Sequence, residues 1–259
     1  MLKRLTISLL FFCGFWALAQ NNPVLLDSKP IEADVYFGTD VLGFDYFAKN
    51  NVLYKQKETT KWEYKNLSLG QIHTVDFINP LKVLVFYKDF NTAVLLDNKL
   101  SEISKIALND FGIIAQSCSM AAQNQFWIYD SLTSKLLLLN YVNRKTHTIN
   151  QSFAGDFMYV LSNYNYWYRI TSKNEIYAYD TYGKVLLKGI LPEFDKIIMT
   201  DSGQIIFSLG DNLYLYKNNL TEPLLLFSHT QKIKSFDFKN GVLSLSTQNN
   251  IENYNLKLP

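Results

Sequence analysis

A strand–turn–strand unit that comes round six times limits what this chain can fold into more than any other feature. The clearest copy is KVLVFY, KDFN, TAVLLD over residues 82–97. Two apolar runs with β-branched and aromatic residues flank a polar knot, which is a hairpin signal. The unit returns as GFDYF-AKNN-VLYKQ, QFWIY-DSLTS-KLLLLN, YWYRI-TSKNE-IYAYD, IIFSL-GDN-LYLYK and VLSLS-TQNN-IENYN. One position in the second strand aligns as Leu53, Val94, Leu137, Ile176, Leu213 and Ile251, with intervals of 41, 43, 39, 37 and 38 residues. Most units have a further strand on either side, such as HTVDFIN before and EISKIAL after.

Four strands per forty or so residues is the spacing of propeller blades. One four-stranded sheet cannot cover both of its apolar faces, and a ring of blades gives each sheet two neighbours and short edges. No segment after the N-terminal leader carries a helical apolar stripe, and Tyr (17) and Phe (18) suit pleated, half-buried surfaces. A β-sandwich would leave the even intervals unexplained. The sixth unit ends without a fourth strand, whereas PVLLDSK near the N-terminus is a strand to spare. The expectation is an all-β, six-bladed β-propeller over residues 20–259, closed by that N-terminal strand.

Residues 1–19 read as a secretory leader: Lys3 and Arg4, the apolar LTISLLFFCGFWALA, and Ala17 and Ala19 before Gln20. Its removal takes two cations from 25 Lys+Arg against 23 Asp+Glu, so the mature chain has 23 of each and no net charge. Interspersed neutral charge gives no footprint for nucleic acid or an acidic membrane surface. Cys118 is the single cysteine left after cleavage, so no internal disulfide forms, and IIAQSCSMAA places it in a buried strand.

The searches for chemistry return little. His73, His147 and His229 lie far apart in sequence, and there is neither H-E-x-x-H nor a cysteine pair. Asp34, Asp40 and Asp45 come nearest to a calcium set, but Asp34 and Asp40 fall at opposite ends of one inner strand and read as turn and cap residues. Nucleophile elbows, Ser-x-x-Lys, Asp-box turns and phosphate-cradling loops are missing, and the mature chain has only Arg144 and Arg169 to offer an anion. Asp76, Asp201 and Asp237 recur near inner-strand ends and read as acceptors for turn amides rather than a channel site. No cofactor, metal or catalytic residue is expected. In SNYNYWYRIT, alternation sends Tyr166 and Tyr168 to one face and Trp167 and Arg169 to the other, as in a strand packed on both sides.

Propellers gather the turns between second and third strands, and the links between blades, on one face. That rule places Phe90 of KDFN there, with Phe111, Phe153 and Phe194 of the links LNDFG, QSFAGD and PEFDK. Each is an aromatic among polar neighbours: either an anchor for a protein partner or a wedge between adjacent sheets. The four together make the candidate protein-binding face.

At VDFINPLKVLVFYKDFNTAVLLDNKL (75–100), with LGQIHTVD before it and QNQFWIYD after it, the chain resembles a group of small secreted propeller-like proteins of flavobacterium-type bacteria. The likeness spans roughly residues 30–130 and brings no catalytic residues with it. It implies an outer-membrane setting that includes the type 9 secretion system, where a small periplasmic propeller serves as an accessory or plugging subunit. DSL (130–132) resembles the O-glycosylation motif of the same lineage. The function expected is a non-catalytic protein-binding propeller, periplasmic and associated with the outer membrane. The alternatives are a hydrolase of sugars or lactones with a channel site, or a carbohydrate-binding surface module.

Overall fold

A computed structural model of the protein describes residues 23–150, 153, 158–200, 202–217, 222–248 and 250–259. The strands fall into six antiparallel sheets of four, ordered by sequence in five of them. After β1 (Val24–Pro30), the first sheet is β2 (Val35–Thr39), β3 (Asp45–Lys49), β4 (Val52–Lys57) and β5 (Thr60–Tyr64). The second is β6 (Thr74–Asp76), β7 (Lys82–Tyr87), β8 (Thr92–Asp97) and β9 (Glu102–Ala107). The third is β10 (Ala115–Ala121), β11 (Gln125–Asp130), β12 (Lys135–Asn140) and β13 (Lys145–Asn150). The fourth is β14 (Tyr159–Ser162), β15 (Tyr166–Ile170), β16 (Glu175–Asp180) and β17 (Val185–Ile190). The fifth is β18 (Lys196–Met199), β19 (Ile205–Leu209), β20 (Asn212–Tyr216) and β21 (Leu224–Ser228). The sixth joins β22 (Ser235–Lys239), β23 (Val242–Ser246) and β24 (Asn250–Asn255) to β1, which pairs antiparallel with β24 from Val24↔Asn255 to Pro30↔Asn250. This is the six-bladed β-propeller that the repeat predicts.

Each seam between neighbouring blades holds its own apolar cluster, because both faces of every sheet must be covered. The richest lies between the second and third blades, around Leu84, Phe86, Leu95, Phe126, Ile128 and Leu139. The poorest joins the sixth blade to the first, with Tyr36, Phe47 and Ile251 alone fully buried among the described residues. Polar contacts reinforce that poor seam. Asp45 is buried and accepts from Thr39 Oγ1 at 2.8 Å, and Lys29 of β1 is ion-paired to its other oxygen. Thr39 N–H donates to Asp237 Oδ2 at 2.9 Å, and Ser235 Oγ to the carbonyl of Tyr36 at 3.1 Å.

The seams correct the alignment of the repeat by one residue in two blades. Leu53, Ile176, Leu213 and Ile251 each face the following blade, but Val94 and Leu137 face the preceding one. The equivalent residues are Ala93 and Leu136, so the intervals become 40, 43, 40, 37 and 38. Counted from the hairpin, the aligned residue is the second of its strand in every blade, whereas Val94 and Leu137 are the third. A slip of one residue in a pleated strand exchanges its faces.

In that register the residue two before the aligned position serves as a latch in the first four blades. Asn51, Asn91, Ser134 and Asn174 all have left-handed backbone, with φ of 59°, 47°, 54° and 60°. The carbonyls of Asn91, Ser134 and Asn174 accept the amides of Leu108, Phe153 and Leu191 in the following links, at 2.9, 3.1 and 2.8 Å. Asn51 uses its side chain instead, donating to Gly70 O at 2.7 Å and accepting from Ile72 N–H at 2.8 Å. Asn91 does both: its amide donates to Ile113 O and Asn109 Oδ1, each at 2.6 Å, and accepts from Ala115 N–H at 2.9 Å. Replacing Asn91 by Ala loses all three and leaves a non-glycine residue in left-handed backbone without its local compensation. The expected cost is about 3 kcal/mol, read as a fall in the urea midpoint with unchanged slope.

Candidate functional site

The structure divides the four phenylalanines. Phe111, Phe153 and Phe194 are partly buried and pack as wedges, the second of the two readings that the sequence leaves open. Phe153 enters the seam between the third and fourth blades, 5.6 Å from the Trp167 ring and 5.0 Å from Tyr179, with the Arg169 guanidinium 4.8 Å from its centroid. Phe194 meets Tyr159 edge-on at 6.2 Å. Phe111 packs on the seam of the second and third blades, capped at 4.9 Å by Arg144, which also pairs with Asp110. A link that descends from an outer strand to the next inner strand crosses a seam, and an aromatic there fills it. Trp167 and Tyr168 likewise enter seams on opposite faces of β15, as their alternation predicts.

Phe90 is different: it remains 54% exposed. Around it lies an apolar sector that single residues in the sequence do not reveal. Leu67, Ile114, Leu132 and Met158 are also exposed, and all sit in turns or links at the same end of the strands. Their nearness follows from the backbone. A Cβ on Gly70 (φ 77°) would lie 3.3 Å from the Phe90 ring, so that ring covers the link carrying Leu67. Next to Phe90, Asn91 grips Ile113 and Ala115, which flank Ile114. Buried Asp130 then accepts the amides of Ile114 and Leu132, at 2.9 and 3.2 Å. These exposed apolar residues therefore stand on neighbouring turns and links of the first three blades.

At the axis is a cavity of about 630 Å³ walled by the innermost strands of all six sheets. Its lining extends chiefly to the end opposite Phe90. Val41, Ile78, Asn163, Asn165 and Thr200 line it from the turns that follow inner strands, while His73 and Thr74 alone come from the Phe90 end. Gly38, in a bulge of β2, admits Phe77 and Asp237 to the wall, since a Cβ there would lie 2.9 Å from Phe77 Cζ and 2.6 Å from Asp237 Oδ2.

Asp76 and Asp237 line this cavity, and both also hold backbone amides between blades. Asp76 accepts Ile78 N–H at 3.0 Å within its own turn and Met120 N–H at 2.8 Å from the third blade. Burial pushes its carboxyl above the usual range, against the pull of those two amides and of Lys239. Asp237 holds the amide of Thr39 in the first blade. Asp201 lies outside the described residues, as does the leader. Asp34 accepts Asn50 N–H, and Asp40 the amides of Leu42 and Phe44, so these two take the capping roles that their spacing predicts. Among the described residues, no group of three His, Cys, Asp or Glu side chains is placed to hold a metal ion. Among them too, no helix is long and apolar enough to cross a membrane.

Cys118 is buried in β10, and burial pushes its thiol well above the ordinary value, with Asp76 adding to the effect. Native protein at pH 8 is expected to take up less than about a tenth of the iodoacetamide taken up in urea, as counted by intact mass.

Sequence reasoning passed over Lys55 entirely. Its ammonium is buried among Phe44, Tyr46 and Trp62, at 4.8, 5.2 and 5.8 Å from the ring centroids. The available signal was its place in VLYKQK, on the same face as Leu53.

No protein-family model matches this chain, and no curated protein sequence matches it. Solved structures do. Virginiamycin B lyase from Staphylococcus aureus aligns over 89% of this chain and 99% of its own, at 9% identity and a TM-score of 0.61. BBS1N, solved in complex with ARL6DN, aligns over 88% of this chain and 78% of its own, at 12% identity and a TM-score of 0.56. PorZ, a surface component of the type-IX secretion system of Porphyromonas gingivalis, aligns over 86% of this chain and 32% of its own, at 13% identity and a TM-score of 0.50. Likeness at such identities carries the architecture alone: the chain is a β-propeller, similar in fold to enzymes and to protein-binding subunits alike.

Proposed function

We propose that this chain is a non-catalytic, exported propeller that docks a protein partner and serves as an accessory or plug subunit of an outer-membrane or protein-secretion complex, as in type 9 secretion. The observation that carries this reading is the exposure of Leu67, Phe90, Ile114 and Leu132 on neighbouring turns and links at one end of the ring. Apolar side chains gathered over neighbouring blades and rimmed by polar turns are the makings of a docking patch, with Phe90 as its aromatic anchor. BBS1N, solved in complex with ARL6DN, and PorZ, a surface component of a type-IX secretion system, are similar to this chain in fold, which is compatible with such a role. The commitment of Asp76 to two backbone amides supports the non-catalytic side. The leader supports export to the periplasm.

The test is a Phe90→Asp/Leu132→Asp chain expressed with its leader in the native host. Both side chains are exposed, so its melting temperature should stay within about 2 °C of the parent. Crosslinking in the envelope should recover a partner with the parent chain and at least about tenfold less with the variant. Equal recovery with both, no partner with either, or a chain that stays in the cytoplasm would overturn the proposal.

A further inference from the structure

We infer that the axial cavity is a second, separate site, one that binds an uncharged sugar of one or two rings. At about 630 Å³ it falls in the range of small-molecule sites. The ligand class follows from which wall groups are already committed. Asp76 is occupied by the amides of Ile78 and Met120, and Asp237 by that of Thr39. The acidic charge of these two therefore serves the joints between blades rather than a clamp for a cation or an amine.

Lys239 also lines the wall and acts on Asp76, and the remaining groups with hydrogen-bonding capacity to spare are neutral. Ser117 has a buried hydroxyl with no hydrogen-bond partner among the described residues, a state that is rare and calls for one. Ser162 and Ser119 share a bond of 2.8 Å, which leaves each hydroxyl with lone-pair capacity. Tyr164 stands on the same wall, its body packed against the neighbouring apolar cluster. Phe37 and Phe77 contribute apolar faces. Neutral hydroxyls opposite aromatic faces match a ligand with hydroxyls round its edge and C–H groups on its faces, which describes a neutral sugar ring.

The same sugar can arrive free in solution or as the end of a longer glycan, and two arms separate these sources. In the first, the mature chain is melted with neutral mono- and disaccharides at 10 mM, with uronic acids, nucleotides and inorganic phosphate as charged comparators. In the second, the same sugars are tethered to beads through the reducing carbon. At least one neutral sugar should raise the melting temperature by 2 °C or more. Capture on beads as well assigns the glycan end, and no capture assigns the free sugar. A Ser117→Ala/Tyr164→Phe variant removes two hydroxyls for which the fold has little use, so its own melting temperature should hold. Its affinity should fall about tenfold or more. The inference fails if no neutral sugar acts in either arm, if charged comparators act as strongly, or if the double variant binds as the parent does. Docking through Phe90 and Leu132 is untouched by any of these results.

Discussion

Replacing Lys55 by Ala should destabilise the protein by about 3–5 kcal/mol, one of the two largest single effects expected anywhere in the chain. Its side chain is 1% exposed, and that of its partner Asp40, 3.5 Å away, is 0% exposed. The ammonium also donates to the carbonyls of Pro80 at 3.3 Å and Asn98 at 3.1 Å, so a first-blade side chain closes the turns of the second. Alanine would strand the Asp40 carboxylate, which retains Tyr46 Oη at 3.1 Å and two amides, and would leave a void amid three rings. Lys55→Met keeps the stem and isolates the charge effect. Asp40→Asn/Lys55→Met should then recover at least 1 kcal/mol over Lys55→Met alone, because the two charges leave together while the substituted carboxamide still accepts the turn amides.

The pH dependence carries the same signature. Burial holds the Lys55 ammonium below the ordinary lysine pKa, and Asp40 only partly offsets this. Between the folded and unfolded values the unfolded chain binds more protons, so stability from this group rises as pH rises through that window. Lys55→Met should abolish the rise. Urea midpoints from pH 8 to 10.5 measure it, and a Lys55→Ala chain within 1 kcal/mol of the parent would refute the buried pair.

Deleting residues 23–30 should be equally severe. It strips β1 from β24 and discards a ladder of backbone bonds worth about 1 kcal/mol net apiece. It also removes Lys29 from Asp45 at the seam with the fewest buried apolar residues. The bared β24 would present an unpaired edge, so self-association should accompany the loss. A fall of at least 15 °C in melting temperature, with dimers or larger species by light scattering, is expected. A synthetic peptide of residues 23–30 added in excess should restore the monomer by strand addition. A truncated chain that melts within 2 °C of the parent would show that β24 does not depend on β1.

The strands were legible because they are local. KVLVFY and TAVLLD are β7 and β8 with the bounds that their apolar runs and polar knot predict. Alternation in YWYRI placed Trp167 and Tyr168 on opposite faces. Phe90 and Phe111 show where legibility stops. Each is a phenylalanine in a short polar segment, yet one is exposed and the other is held in a seam under Arg144. Local sequence does not say whether a link runs over a blade or between two.

From the amino-acid order alone came the number of blades, their strands and the turn residues that join them, since alternation and turn chemistry act over a few neighbours and repeat with the chain. Tertiary structure alone decided which face of each strand meets which neighbour, that Lys55 is caged, that Asp76 and Asp237 tie blades together, and that a cavity walled by the inner strands runs along the axis. Those outcomes rest on contacts such as Thr39 with Asp237, 198 residues apart, which form only when the sheets pack side by side. A pleated strand specifies two faces; what covers each of them is settled by the ring.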